Sequence, residues 1–141
     1  SRSNGQHAIH LCSAPKSPPV GHLRITRFFA EKDAMAGLSV QFNPYNAVRI
    51  EIEDSVLRDC ALTDRFFPPL YVQGLEADSR PAGNLHFRNV TVKDDRDRPI
   101  LRIRDRHGNG VKAITGDIIL ERNGQRTPIA IDDAWLDTMR E

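Results

Sequence analysis

Long apolar stretches are absent from this 141-residue chain, and cysteine and aromatic residues are scarce. No run approaches the roughly 20 apolar residues of a membrane-spanning helix, and no charged segment followed by an apolar core resembles a signal peptide. The two isolated cysteines, Cys12 and Cys60, are too few for a disulfide framework and have no neighbours at zinc-binding spacing. These absences predict a soluble domain with two unpaired thiols.

Neither sign of charge dominates, because 20 basic and 19 acidic residues are mixed along the chain for a formal net charge of +1. A protein that attracts nucleic acid or an anionic membrane through its overall field carries an excess of Lys and Arg. We therefore expect neither nucleic acid nor a membrane as a partner. With 39% hydrophobic residues, the chain has enough apolar side chains for one domain with one core.

Short segments of alternating apolar residues return at nearly equal intervals. A first set is anchored by residues 28 to 32 positions apart: Ile9, Leu38, Leu70, Leu101 and Ile129. A second set is anchored at intervals of 27 or 35 positions: Ile25, Ile52, Phe87 and Ile114. Each segment of the second set is followed, after a bend, by a segment of a third set. The residue at the bend is polar or glycine in every case: Arg27, Asp54, Asn89 and Gly116. A period of roughly 30 residues is typical of a solenoid, in which each coil contacts only its neighbours.

This repeat predicts an all-β fold, a parallel β-helix of about four coils. The segment 84–92, Asn-Leu-His-Phe-Arg-Asn-Val-Thr-Val, resembles a coil of the right-handed parallel β-helix proteins of the pectin-lyase-like superfamily, and the likeness of pattern covers roughly 8–132. The alternative is an antiparallel β-sandwich or jelly roll, which also joins short alternating strands but does not predict evenly spaced apolar columns. The resemblance implies carbohydrate as ligand or substrate, since many members cleave, epimerise or bind polysaccharides along the outer groove.

We expect three parts: a polar N-terminal tail at 1–7, the β-helix at 8–133 and a capping segment at 134–141. In the last part, Trp135, Leu136 and Met139 would lie on one face of a helical turn and cover the final coil. The tail is too polar to cover the apolar end of the first coil. We therefore expect that coil to be buried against a second subunit, as a homo-oligomer, or against further coils of a longer protein.

The catalytic motifs of the superfamily are not matched. Polygalacturonase-like members carry Asn-Thr-Asp, Gly-Asp-Asp, Gly-His-Gly and Arg-Ile-Lys motifs, and this chain has only partial counterparts in another order: Asp94-Asp95, Arg102-Ile103-Arg104 and Arg106-His107-Gly108. Lyase-like members need clustered acidic calcium ligands and an Arg base. Here Arg96 and Arg98 interleave with the acidic residues, which predicts a charged turn between two strands. We expect no catalytic residue, no metal site and no cofactor, and the sequence favours a non-enzymatic protein.

Two carboxylates on outward positions of one predicted strand, Glu51 and Glu53, are the candidate pair for a hydrolytic site. Glycoside hydrolysis needs two carboxyl groups about 5 to 9.5 Å apart, a distance that residues on stacked strands can meet. Glu51 and Glu53 both point outward, but the aligned positions on neighbouring strands hold Arg24 and Arg88. Opposite charges in register stabilise neighbouring strands. The sequence therefore predicts structural Arg24/Glu51 and Glu53/Arg88 pairs.

The outward positions of the first set of strands form the candidate ligand-binding face: Gln41, Tyr71, Gln73, Arg102 and Arg104. Arg grips carboxylates bidentately and Tyr can stack on a sugar ring, so the face suits hydroxyl-rich or uronate ligands. A solvated polar face without a ligand is the alternative. The nearby apolar segment Phe-Phe-Pro-Pro at 66–69 would form a binding edge or fold under its own loop.

These observations favour a noncatalytic β-helical module that binds polysaccharide. Two alternatives stay open: a self-associating structural β-helix, and the C-terminal fragment of a polysaccharide lyase or glycoside hydrolase.

Overall fold

The chain folds almost entirely into β-strands. The computed structural model describes residues 5–12, 21–42, 48–63, 66–74, 83–104 and 113–140. Within these ranges lie ten strands and one short helix: β1 Ile9–Leu11, β2 His22–Thr26, β3 Phe29–Glu31, β4 Leu38–Phe42, β5 Val48–Arg58, β6 Leu70–Gly74, β7 Gly83–Lys93, β8 Leu101–Arg104, β9 Ala113–Arg122, β10 Gln125–Ala130 and α1 Asp133–Met139. The predicted all-β class is confirmed. None of the helices described here is long and apolar enough to cross a membrane.

The strands form two sheets, which the chain visits in turn. Sheet 1 has the order β1-β4-β6-β8, and its neighbouring strands are all parallel. Sheet 2 has the order β2-β5-β7-β9-β10, with β3 also beside β5, and only its β9–β10 pair is antiparallel. Parallel neighbours need a crossover connection, and here each crossover passes through the other sheet. The antiparallel sandwich alternative is therefore wrong for the described strands.

The first predicted column matches the pairing register of sheet 1. Ile9 pairs with Leu38, Leu38 with Leu70, and Leu70 with Leu101. The prediction is wrong for the fifth member, Ile129. This residue lies in β10 of sheet 2, opposite Ile118 of β9. A two-residue turn, Asn123-Gly124, joins these strands with φ values of 50° and 78°. Asn-Gly with both φ values positive is the preferred turn of a tight hairpin, so the chain reverses here instead of starting another coil.

The second column is correct for three of its four members. Ile25 pairs with Ile52 and Ile52 with Phe87, but Ile114 lies opposite Leu85, and Gly116 takes the place opposite Phe87. The register of the β7–β9 pair shifts between Phe87 and Val90, which is a β-bulge with an extra residue in β7. A fixed spacing could not reveal that shift. The third set of segments pairs in the predicted order: Ala30 with Leu57, Leu57 with Val92 and Val92 with Leu120.

The predicted corners are bends at residues in the left-handed region. Arg27 separates β2 from β3 with a φ of 54°, while Asp54 and Asn89 bend the continuous strands β5 and β7 with φ values of 49° and 52°. Asp and Asn adopt this conformation more readily than most residues. The Asn89 side-chain amide also donates to Asp54 Oδ1 at 2.8 Å, so the two corners are joined from strand to strand.

The core lies between the sheets and is built from the inward side chains of each strand, with Phe87 the largest fully buried member. At the C-terminal end, the Asp132 carboxylate accepts from Trp135 N at 2.8 Å and caps α1. The helix buries Leu136 and packs Trp135 and Met139 against the core. At the other end the inward residues of β1 and β2 are only half-buried.

Candidate ligand-binding face

Sheet 1 brings the five predicted ligand-binding residues together on its outer side. Ser39, Tyr71 and Arg102 lie in one row across β4, β6 and β8. Gln41, Gln73 and Arg104 form the next row, two residues further along each strand. Rows of this kind are spaced about 4.8 Å between strands, so neighbouring side chains contact one another. The Gln41 amide accordingly donates to Gln73 Oε1 at 3.4 Å.

Tyr71 is covered, although it points away from the core. Its exposed fraction is only 2%, because the Phe66 ring lies 5.7 Å from its ring centroid and the Phe67 ring meets it edge-on at 4.8 Å. The Tyr71 hydroxyl donates to Gln73 Oε1 at 3.4 Å. In this arrangement Tyr71 supports the face from below, and stacking of a ligand on its ring would require the Phe66 loop to move.

The exposed ring of this face belongs to Phe66. Its exposed fraction is 38%, whereas Phe67 is half-buried and Pro68 and Pro69 are buried. The Arg102 and Arg104 guanidinium carbons lie 4.8 and 5.6 Å from the Phe66 ring centroid, within cation–π range. Arg102 also donates to the Phe66 carbonyl. The predicted loop therefore both folds under, through Phe67, and presents an edge, through Phe66.

Imidazole rings extend this aromatic cluster toward β1. His7 stacks on His10 at 5.2 Å and meets Phe67 edge-on at 4.8 Å. His10 Nδ1 lies 3.0 Å from Ser39 Oγ, a pairing seen in hydrolases with a serine nucleophile. Ser39 is buried, however, and among the described residues no carboxylate orients the His10 ring. We therefore interpret this hydrogen bond as structural.

The outward carboxylates of β5 are held by basic residues, as predicted. Arg24 Nη2 lies 3.0 Å from Glu51 Oε2, and Arg88 Nη2 lies 2.7 Å from Glu53 Oε2. Hydrogen bonds from His22 and then Arg24 lower the pKa of Glu51 from 4.5 to about 2. A general acid in glycoside hydrolysis needs a raised carboxyl pKa, so Glu51 is unsuited to that role.

The acidic cluster after β7 is a charged turn, also as predicted. Asp94 is 1% exposed and accepts hydrogen bonds from Arg96 and Arg98. Both guanidinium groups also donate to the carbonyls of Cys60 and Ala61, in the turn after β5. Across the described ranges, no group of three or more His, Cys, Asp and Glu side chains is placed to hold a metal ion. Arg106, His107 and Gly108 lie outside the described residues.

Comparison of the chain with family models, with curated proteins and with solved structures finds no match. The face must therefore be interpreted from its own residues. Sequence reasoning placed its polar members correctly but missed the role of Phe66, which covers Tyr71 and meets both arginines. The adjacent Phe-Phe-Pro-Pro segment was a signal for an apolar contact, though not for its partner.

Proposed function

We propose that this chain is a noncatalytic module that binds acidic polysaccharide through the outer face of sheet 1. The observation that carries this proposal is the meeting of Arg102 and Arg104 at the exposed Phe66 ring, beside the Gln41–Gln73 pair. The scaffold that we propose is a right-handed parallel β-helix of about four coils. This scaffold is supported by the way the chain alternates between two sheets of mainly parallel strands. Connections between parallel strands of one sheet are almost always right-handed.

The chemistry of these side chains suits a uronate sugar. Guanidinium groups pair with carboxylates in a bidentate geometry, side-chain amides hydrogen-bond to hydroxyls, and an exposed aromatic ring packs on the apolar face of a sugar. Arg102 and Arg104 are half-buried and already in contact with Phe66, so binding would order few additional rotamers. The low pKa of Glu51 makes this residue unsuitable as the general acid of a glycoside hydrolase.

Binding of polygalacturonate, measured by titration calorimetry, tests this proposal. We expect Arg104→Gln and Phe66→Ala each to weaken binding about tenfold, the effect of losing one charge-assisted or stacking contact. Arg126→Gln is the matched control, since it removes the same charge from an exposed position of β10 in sheet 2. Unchanged affinity in both variants, or failure of the wild-type chain to bind, would exclude the face.

A second candidate function is self-association through the first coil. One observation favours it: the inward residues Leu23 and Ile25 are half-buried, whereas their partners Ile50 and Ile52 in the next coil are buried. Joining of two such ends would bury apolar side chains and pair the outer edges of β1 and β2, beside which no strand of the described residues lies. A monomer by light scattering at high protein concentration would contradict this candidate.

A further inference from the structure

On the outer side of sheet 2, negatively charged side chains are buried beneath positively charged ones. The carboxylates of Glu51 and Glu53 lie close to the sheet, with exposed fractions of 4% and 8%. The side chains of Arg24, Arg49 and Arg88 lie above them and are 56, 61 and 60% exposed. The negative charges are therefore buried and the positive charges face solvent.

The strand register produces this order. Arg24 of β2 and His86 of β7 lie on either side of Glu51, and Arg88 lies beside Glu53. Arg49 precedes Glu51 by two residues on the same strand, so it points to the same side. Its Nη2 is 2.6 Å from Glu51 Oε1, while Arg24 reaches Oε2 at 3.0 Å. One carboxylate thus orients two guanidinium groups.

Donors remain available on the solvent side. A guanidinium carries five N–H groups, and Arg24, Arg49 and Arg88 each contact their glutamate through only one or two nitrogens. Three arginines stand over two glutamates on this face, and the Asp54 carboxylate at the adjoining corner also acts on Arg88. Because the buried carboxylates already hold the arginines, an incoming anion would meet side chains that have lost much of their rotamer freedom.

We propose that this face, through Arg24, Arg49 and Arg88, binds the sulfate or carboxylate groups of an acidic polysaccharide. It is a second anion-binding face on a different sheet from the one with Phe66, and it does not depend on the proposed function of sheet 1. Oxyanions of both kinds match the planar fork of arginine. With two such faces, one protein molecule would bridge two polymer chains.

Polysaccharide fits this face better than nucleic acid. Proteins that bind single strands stack the bases on aromatic rings, and the outward positions of β2 and of the first halves of β5 and β7 hold no Phe, Tyr or Trp. They hold hydroxyl and amide groups instead, in Thr26 and Asn84, which are exposed and can bond to sugar hydroxyls.

The test uses dextran sulfate as the probe, with neutral dextran of equal length as the ligand control. Arg49→Gln is the main variant, because Glu51 keeps its contacts with His22 and Arg24. We expect about fivefold weaker binding and a flatter dependence on salt, since one exposed charge contact is lost. Arg49→Lys should recover part of the affinity, because it restores the charge without the fork. Arg126→Gln, which removes a charge from an exposed position of β10 outside both faces, should leave dextran sulfate binding within about twofold of wild type.

Two results would overturn the inference. One is wild-type affinity for dextran sulfate in Arg49→Gln and also in Arg24→Gln, with folding of each variant checked by circular dichroism. The other is failure of the wild-type chain to prefer dextran sulfate over both neutral dextran and single-stranded DNA at low salt. The first result is measured only in variants of sheet 2, so this inference can fail while the proposal for sheet 1 stands, and the reverse.

Discussion

Arg98 donates from Nε to Oδ2 of Asp94 at 2.5 Å, and this carboxylate is almost completely buried. The same guanidinium donates to the Cys60 and Ala61 carbonyls, so the pair joins the turn after β7 to the turn after β5. Arg122 adds a bond to the Asp94 carbonyl at 3.0 Å from the following coil. The turns after β5 and β7 and the last residue of β9 are therefore joined at one place.

Replacement of Asp94 should destabilise the fold. Asp94→Ala leaves Arg96 and Arg98 without their carboxylate, and breaking a buried ion pair from one side costs about 3 kcal/mol. Asp97→Ala is the control, because its side chain is fully exposed and 3.6 Å from Arg122, and it should cost less than about 0.5 kcal/mol. Urea unfolding measures both values. Equal stability of the two variants would contradict a structural role for Asp94.

Gly116 should not tolerate a side chain. Its φ is 106°, and a Cβ there would lie 1.8 Å from the Phe87 carbonyl oxygen, which belongs to the backbone of the neighbouring strand. We expect Gly116→Ala to cost about 3 kcal/mol or to prevent folding, because the strands must separate. Gly124→Ala is the matched variant: its φ is 78°, but a Cβ there has no neighbour within 4 Å. Its cost, measured by thermal unfolding, should be about 1 kcal/mol.

Acid should remove the contribution of Glu51. Its folded-state pKa of about 2 is below the ordinary value of 4.5, so the carboxylate stabilises the fold at any pH above 4.5. That contribution is lost as the pH falls from 4.5 toward 2. The gap in unfolding free energy between wild type and Glu51→Gln should therefore be wider at pH 5 than at pH 2, and should narrow as the pH falls between them. A gap that stays constant down to pH 2 would contradict the lowered pKa.

The two thiols should differ in reactivity. Burial raises the pKa of Cys60 to about 12, with a further rise from the nearby Asp33 carboxylate, whereas Cys12 is exposed. Because the thiolate is the reactive form, a disulfide reagent at pH 8 should modify Cys12 quickly and Cys60 only after unfolding. Cys12→Ser gives the control, and rapid modification of that variant in its native state would contradict the burial of Cys60.

Much of the strand register could be predicted from the sequence, because inward and outward residues alternate with a period of two and a slip of one would expose the core. That is why the column through Ile9, Leu38, Leu70 and Leu101 is correct. Ile129 was misplaced although the Asn123-Gly124 turn was visible in the sequence. The bulge between Phe87 and Val90 carries no such signal, since it depends on how β7 and β9 meet.

The amino-acid sequence by itself determined the all-β class, the recurring apolar columns and the pairing of Arg24 with Glu51 and Arg88 with Glu53. Each of these follows from local alternation and from residues that recur at a fixed interval. The sequence predicted three short strands in each repeat, whereas the second and third segments are continuous in β5, β7 and β9. Only the tertiary structure decided that Phe66 covers Tyr71 and that Arg98 reaches across to Cys60. These contacts depend on the position of a turn relative to the neighbouring strands, and the packing of segments distant in sequence decides that position.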